Sequence, residues 1–154
     1  MLKRVQILAD YQFGKGIGVQ LFPQTSRFIT SRRGGVRQVM LDGRRLATLR
    51  AHDGRLTLGL LGAERLAQVL DSSRNRVIVR DDVCPYIAIG KSVFAKHVTQ
   101  ASSDIQAGDE VLVLSGDGTL QAVGDAMISG DEMVLSDCGV AVSVRKGKDQ
   151  EDKE

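Results

Sequence analysis

Apolar residues at helical spacing open the chain. They recur at intervals of three and four positions, as on the buried face of an amphipathic helix: Val5, Leu8, Ala9 and Phe13. Gly14 follows, and two further glycines at alternate positions disfavour continuation of the helix. The pattern predicts a first helix that ends near Gly14 and is followed by strands.

Between residues 36 and 60 the pattern changes to short apolar runs separated by two Asp-Gly pairs. Asp42-Gly43 and Asp53-Gly54 each lie between strand-like runs, and Asp-Gly is typical of the two-residue loop of a tight hairpin. The prediction is a three-stranded antiparallel meander. If both loops have two residues, the register pairs Met40 with Arg45, Val36 with Leu49, Ala51 with Leu56, and Leu49 with Leu58.

This register gives the sheet one apolar face and one face with arginines, because successive strand residues point to opposite sides. The apolar face would collect Val36, Met40, Ala47, Leu49, Ala51, Leu56, Leu58 and Leu60. The opposite face, called here the predicted basic face, would present Thr48, Thr57 and four arginines: Arg37, Arg44, Arg50 and Arg55. A second helix, from about Gly62 to Leu70, is expected to cover the apolar face.

The second half of the chain alternates between strand-like runs and glycine turns. Strands are predicted at residues 76–80, 92–100, 110–114, 120–129 and 139–145. Short, evenly spaced strands of this kind favour a small barrel over a layered fold. Residues 148–154 are wholly polar or charged, so a disordered tail is expected there. The fold class expected is α+β, with domains at 1–73 and 74–147.

The two halves carry opposite charge, although the formal net charge of the whole is only +2. Residues 1–80 contain fifteen Lys and Arg against five Asp and Glu, whereas residues 81–154 contain six against fourteen. Clustered cations favour a polyanionic partner because they displace counterions from a phosphate backbone. The predicted basic face is therefore a candidate nucleic-acid surface, and the alternative is an ordinary solvated surface.

No pattern in the sequence indicates catalysis or metal binding. Phe13–Gly18 is rich in glycine but closes a predicted helix, whereas a nucleotide-binding loop follows a strand and opens a helix. Cys84 and Cys138 lack the C-x-x-C spacing of a zinc or redox site. Neither His52 nor His97 lies in a nucleophile motif. We expect no catalytic centre, no metal and no cofactor.

The N-terminal apolar stretch is too short for a targeting or membrane segment. Gln6 and Asp10 interrupt it, so neither a signal-peptide core nor a membrane span is expected. The expected location is cytoplasmic.

Four segments of the second half together resemble the archaeal form of the PUA domain. They are Gly90–Lys96 (GKSVFAK), Asp104–Val113 (DIQAGDEVLV), Ala122–Gly124 (AVG) and Gly139–Gly147 (GVAVSVRKG), in the family's order and spacing. The resemblance implies a compact β-pseudobarrel that binds structured RNA.

The first half resembles the domain that precedes PUA in archaeosine tRNA-guanine transglycosylase. The matching segments are Ala9–Gly16 (ADYQFGKG), Leu46–Ala51 (LATLRA) and Gly62–Leu66 (GAERL). The catalytic barrel of that enzyme has no counterpart here. The resemblance therefore implies a small, non-catalytic subunit that holds tRNA for base exchange by a separate catalytic chain.

By the same resemblance, RNA contacts belong to the glycine-bearing segment before the first long strand and to the final strand. Backbone amides and cations would meet phosphates there, at Gly90, Lys91, Ser92, Lys96, Arg145 and Lys146. Val93 and Phe94 are expected in the core. The departures from the family are His97, where an aromatic residue is usual, and Asp125, where arginine is frequent.

Two other functions remain open. One is a freestanding RNA-binding module that serves archaeosine synthase, another RNA-modification enzyme or ribosomal RNA. The other is an independent small-molecule enzyme, which no sequence feature favours.

Overall fold

The computed structural model describes residues 1–150. The chain forms two compact units, the first comprising Met1–Leu70 and the second beginning at Asp71. The first is an antiparallel sheet with helices and the second a nearly closed six-stranded PUA-like sheet, which confirms the α+β class. No helix in residues 1–150 combines the length and apolar character needed to span a membrane.

The first unit contains three helices and four strands. In chain order these are α1 (Leu2–Phe13), α2 (Ile17–Leu21), β1 (Arg27–Thr30), β2 (Val36–Leu41), β3 (Arg44–Leu49), β4 (Leu56–Leu58) and α3 (Leu60–Val69). The strands form an antiparallel sheet in the order β1-β2-β3-β4. The sequence did not predict α2 or β1, whereas α1 ends at Gly14 as predicted.

The glycines after α1 allow a tight turn and close helix packing. Gly16 has a φ of +85°, a conformation that suits glycine. A Cβ atom on Gly18 would lie 2.0 Å from the Gln6 carbonyl oxygen, so α2 can approach α1 only with glycine at this position. The Gly18 amide also donates to the Asp10 carboxylate at 2.6 Å. These glycines therefore serve the packing of α1 and α2.

A side-chain amide pairs with the β4 strand. Gln12 Nε2 donates to the Leu56 carbonyl at 2.8 Å, and its Oε1 accepts from the Leu56 amide at 2.9 Å. These two bonds reproduce the pairing of a neighbouring strand and attach α1 to β4. The core of the first unit is formed by apolar side chains of the helices and the sheet, including Val5, Phe13, Leu21, Leu46, Leu58 and Leu66.

The predicted register was right only beside the loop of the first hairpin, and the predicted pair of Val36 with Leu49 was wrong. Asp42 and Gly43 both have positive φ, as a two-residue Asp-Gly loop requires, and Met40 pairs with Arg45. An irregularity then skips Leu46, so that Val39 pairs with Ala47. A bulge of this kind offsets the pairing by one residue, so that residues beyond it point to the opposite face from the one a continuous register would give. Val39 and Leu41 are therefore buried in β2, in place of Val36 and Met40.

The second hairpin loop has four residues rather than two. The Arg50 amide donates to the Arg55 carbonyl at 2.9 Å, which closes the loop over residues 51–54. Leu49 consequently pairs with Leu56, and Ala47 with Leu58. Both pairs are shifted by two residues from the predicted register, so Ala51 lies in the loop and is exposed.

The second unit is built on one six-stranded sheet, in the order β6-β10-β9-β8-β5-β7. Only β5 and β8 are parallel neighbours. Two short helices accompany the sheet. The bounds are β5 (Arg76–Val79), α4 (Cys84–Ala88), β6 (Val93–Phe94), β7 (Val98–Ala101), β8 (Glu110–Leu114), β9 (Leu120–Ala126), α5 (Gly130–Leu135) and β10 (Val140–Gly147).

The predicted strand at residues 92–100 is interrupted. A 3-10 turn at Ala95–His97 separates β6 from β7. The first pairs with β10 and the second with β5, at opposite ends of the strand order. The core of the second unit is formed by apolar side chains of its sheet and of α4 and α5, including Val77, Ile87, Val111, Met133 and Val142.

The predicted disordered tail falls partly on described residues. The Lys148 amide donates to the Gln121 carbonyl at 2.8 Å, and the Asp149 amide to the Ala88 carbonyl at 2.9 Å. The chain therefore remains attached to the second unit at these positions. Residues 151–154 of the predicted tail lie outside the described residues.

Candidate nucleic-acid interface

The glycine-bearing segment after α4 is a tight turn held by its own backbone. Gly90 has a φ of +102°. Its amide donates to the Ile87 carbonyl at 3.0 Å, and the Lys91 amide donates to the Tyr86 carbonyl at 3.1 Å. Neither amide is therefore available to a phosphate, contrary to expectation. The turn instead leads into an exposed Lys91 and a half-buried Ser92.

A largely apolar hollow of about 320 Å³ lies directly beside this turn. Phe94, expected in the core, is 45% exposed, whereas Val93 is buried. The reason is that neighbouring residues of β6 point to opposite sides, and only one side faces the core. The hollow is lined by Val83, Tyr86, Ile87, Lys91, Ser92, Phe94 and His97.

Aromatic groups and a lysine are arranged together at this hollow. The rings of Phe94 and His97 meet edge to face, with centroids 6.1 Å apart and an interplanar angle of 84°. The Lys96 ammonium lies 6.0 Å from the centre of the Phe94 ring. Tyr86 is 63% exposed. Exposed ring faces with adjacent cations suit the stacking of a nucleobase and contact with its phosphate.

Sequence reasoning missed the aromatic part of this hollow. Tyr86 was not singled out, because nothing local shows that α4 leaves it exposed. His97 was noted only as a departure from the family. Its place beside Phe94 depends on the 3-10 turn, which no sequence pattern predicted.

Arg145, an expected RNA contact, is engaged by two carboxylates within the second unit. Its guanidinium donates to both carboxylate oxygens of Glu110, one of them at 2.9 Å, and to Asp125 at 3.3 Å. The Glu110 side chain is only 3% exposed. Asp125, where relatives often have arginine, here supplies part of this ion pair. The geometry gives Arg145 a structural role within the second unit, and its contact with RNA stays a prediction.

The remaining predicted residue of the final strand is Lys146. It lies on β10 opposite Val123 and is half-buried. Of the expected contact residues of the second unit, Lys91 and Ser92 therefore line the hollow, and Lys96 lies against its Phe94 ring.

The four arginines of the predicted basic face lie in different parts of the first unit. Arg37 and Arg50 line one hollow of the first unit. Arg55 lines another, beside Tyr11. Arg44 lies at the opposite end of β3, with Nη2 3.8 Å from the Glu64 carboxylate.

The remaining ionisable groups were compared with the requirements of metal binding and thiol reactivity. Within residues 1–150, no cluster of three or more His, Cys, Asp and Glu side chains could hold a metal ion. Burial raises the pKa of the Cys84 thiol, and the nearby Asp81 acts in the same direction. That thiol is therefore protonated near neutral pH and a poor nucleophile.

Both units match known domain families. Residues 3–73 match the patch-forming domain C2 of tRNA-guanine transglycosylase. Residues 75–148 match the PUA domain, and PUA domains bind RNA.

Curated archaeal proteins are similar over nearly the whole chain. The tRNA-guanine(15) transglycosylase of Thermococcus kodakarensis is 43% identical over 145 residues, which are 94% of this chain and 25% of that protein. The one from Thermoplasma volcanium is 40% identical over 152 residues, which are 99% of this chain and 24% of that protein. The chain thus spans about a quarter of the length of these relatives, in their C-terminal part.

Solved structures share the fold at lower identity. A hypothetical protein of Pyrococcus horikoshii has a TM-score of 0.76 at 21% identity, covering 97% of this chain and 90% of its own. A conserved PUA domain protein of Thermoplasma acidophilum has a TM-score of 0.66 at 19% identity, covering 97% and 89%.

Proposed function

The chain consists of the patch-forming domain C2 of tRNA-guanine transglycosylase followed by a PUA domain, and we propose that it binds tRNA and positions it for a separate catalytic chain. That partner would be the base-exchanging chain of a split archaeosine tRNA-guanine transglycosylase. The observation that carries the proposal is the 39–44% identity to the C-terminal quarter of archaeal tRNA-guanine(15) transglycosylases, over at least 93% of this chain.

In the second unit, RNA would be held at the aromatic hollow beside Gly90. A splayed base stacks on the exposed face of Phe94 or Tyr86, while Lys91 and Lys96 neutralise the adjoining phosphates. Stacking on an aromatic side chain contributes about 1–3 kcal/mol per base. Such a site suits a single-stranded end, because bases within a duplex are not free to stack on protein.

In the first unit, arginines would supply sequence-independent attraction to the RNA backbone. Arg37, Arg44, Arg50 and Arg55 would contribute to this attraction. Each phosphate neutralised releases counterions, so the affinity would fall steeply as salt rises.

The chemistry would belong entirely to the partner. This chain would contribute no catalytic group, metal or cofactor to the base exchange. Its contribution is orientation, since holding a substrate in a reactive position can lower a barrier without any covalent step by the holding residue.

Binding of unmodified tRNA by the purified chain tests the RNA part of the proposal. The variant Lys91→Ala/Phe94→Ala should bind at least tenfold more weakly at about 0.1 M salt, because it can neither stack one base nor neutralise one phosphate at this hollow. Matched controls are Lys148→Ala, which removes a lysine from a different hollow, and Leu135→Ala, which removes an exposed apolar side chain. Equal affinity in all variants would contradict the assigned surface.

Proteins and RNA recovered with the native chain test the partner. A catalytic transglycosylase chain and tRNA are expected. Recovery of archaeosine synthase, another modification enzyme or ribosomal RNA in its place would replace the subunit role by that of a freestanding RNA-binding module.

A further inference from the structure

A second hollow, of about 450 Å³, lies in the first unit at the end of the sheet that carries the β1–β2 and β3–β4 loops. Three arginines and two hydroxyl side chains line it, and none of its lining residues is acidic. The complete lining is Arg4, Ser31, Gly35, Val36, Arg37, Thr48, Leu49, Arg50, Ala51 and Gly54. We call it the arginine hollow.

Two of its arginines carry charges that no acidic side chain within residues 1–150 pairs with. Arg4 on α1 and Arg37 on β2 are exposed, and neither guanidinium has a hydrogen bond or ion pair within residues 1–150. Like charges gathered around an open space repel one another, so an anion placed between them would be stabilised.

The third arginine is held in place. Arg50 Nε and Nη2 donate to the two carboxylate oxygens of Asp53 at 3.2 and 2.6 Å. The same carboxylate accepts from the Arg55 amide at 3.0 Å, which fixes it within the loop. Asp53 thereby orients the Arg50 guanidinium. The Nη1 atom of Arg50 takes no part in these two hydrogen bonds.

The loops leave room for a close approach. A Cβ atom on Gly54 would meet no atom within 4 Å, so the space in front of this residue is open. The β1–β2 loop is closed by the Ser31 amide, which donates to the Gly35 carbonyl at 2.8 Å. That loop also carries the exposed Arg32 and Arg33, which extend the positive charge beyond the hollow.

We propose that the arginine hollow binds a phosphate group of an RNA backbone. Guanidinium groups match phosphate oxygens by bidentate hydrogen bonds, and the hydroxyls of Ser31 and Thr48 are additional donors. The adjoining Arg32 and Arg33 favour a chain of phosphates over a single small anion. This inference rests on the proposed RNA-binding function and adds to it a definite contact that includes Arg4, outside the predicted basic face.

The test compares Arg4→Ala/Arg37→Ala with a variant of equal charge, Lys15→Ala/Arg27→Ala. Lys15 and Arg27 are exposed residues of the same unit that do not line the hollow. Binding of tRNA is measured over a range of salt concentrations. The hollow variant should bind about tenfold or more weakly, and the logarithmic salt slope should decrease by about 0.9 for each phosphate that the variant no longer neutralises. The affinity of the control should change less than threefold.

Arg37→Lys provides a further comparison at unchanged charge. If bidentate geometry matters, it should bind more weakly than the wild type but more tightly than Arg37→Ala. Equal affinities and salt slopes for the hollow variant and the equal-charge control, both correctly folded by circular dichroism, would overturn the proposal.

Inorganic phosphate separates the two sources of the ligand group. Shifts of the Gly35, Arg50 and Gly54 amide resonances by phosphate, abolished in Arg4→Ala/Arg37→Ala, would support a site for any phosphate. An effect of the variant on tRNA without such shifts would support a site that requires the polymer. If phosphate binds while the wild-type chain ignores tRNA at low salt, both the RNA assignment of this hollow and the proposed function fail. If tRNA binding depends on Lys91 and Phe94 but not on Arg4 and Arg37, the proposed function stands and this inference alone fails.

Discussion

Removing the Arg145 guanidinium should destabilise the second unit strongly. Glu110 begins β8 with its side chain 3% exposed, and Arg145 donates to both of its carboxylate oxygens. Arg145→Ala would leave that carboxylate buried without its cation. Breaking a buried pair on one side costs about 3–5 kcal/mol, because the remaining charge has neither water nor its partner around it. That is a large part of the 5–15 kcal/mol, roughly, by which domains are stable.

The measurement is urea unfolding of the full chain, followed by a probe of the second unit. Arg145→Ala, Glu110→Gln and the double variant Glu110→Gln/Arg145→Met form the comparison. The double variant should be more stable than Arg145→Ala, since it removes the buried Glu110 charge and leaves only Asp125, whose side chain is 37% exposed, without this cation. Arg145→Lys should recover part of the stability, because it restores the charge without the bidentate fork.

A free energy of unfolding for Arg145→Ala within about 1 kcal/mol of the wild-type value would refute the importance of this ion pair, because an effect of that size is typical of an exposed pair. If the same variant then bound tRNA more weakly at full stability, Arg145 would be an RNA contact after all, as the sequence suggested.

Three further predictions concern other parts of the chain. Gly18→Ala should destabilise the first unit by about 2 kcal/mol or more, since its Cβ would lie 2.0 Å from the Gln6 carbonyl oxygen; thermal unfolding measures this, and an unchanged midpoint would contradict the packing of α2 on α1. Hydrogen bonds from Ser115 and Thr119 lower the pKa of Asp117 from 3.8 to about 2, so its stabilising contribution is fully present above pH 3.8 and is lost as the pH falls toward 2. The difference in free energy of unfolding between Asp117→Asn and the wild type should therefore become smaller as the pH falls from 3.8 toward 2. A difference that stays constant over this interval would refute the assignment. Phe94→Ala should leave the free energy of unfolding within about 1 kcal/mol of the wild-type value, because the ring is 45% exposed. A larger decrease would indicate that Phe94 packs in the core.

The hairpins show how far local sequence determines this fold. Asp42-Gly43 has the conformation that its residue types favour, and this loop was predicted correctly. Asp53-Gly54 is the same dipeptide, but Asp53 binds the Arg50 side chain and the Arg55 amide, which stabilises a four-residue loop. The decisive interactions are side-chain bonds that a dipeptide rule does not include.

The bulge at Leu46 has no comparable local signal. Its effect is nevertheless large, because it places Val39 and Leu41 in the core and moves Met40 to the other face. Periodicity assigns faces only when the register is continuous. The predicted basic face assumed a continuous register, and its role as an RNA surface stays a prediction.

The start of α5 was available in the sequence. Ser129 and Glu132 form a capping box, with the Ser129 side chain accepting from the Glu132 amide at 3.2 Å. The S-x-x-E spacing marks a helix N-terminus, but the prediction extended a strand to Ser129.

The candidate site depended more on tertiary structure. Gly90, Lys91 and Ser92 were predicted from resemblance alone, and Lys91 and Ser92 line the hollow that contains Tyr86 and Phe94. Arg145 pairs with carboxylates 35 and 20 positions away along the chain, and no local pattern distinguishes such a residue from a free cation.

In the proposed function, this chain holds tRNA while another performs base exchange. The most direct measurement is incorporation of labelled guanine into tRNA by the catalytic chain, with and without this protein, over a range of tRNA concentrations. The account predicts that adding this protein lowers the KM for tRNA at least tenfold, and that Lys91→Ala/Phe94→Ala removes most of that gain. Identical kinetics with and without the protein would contradict it.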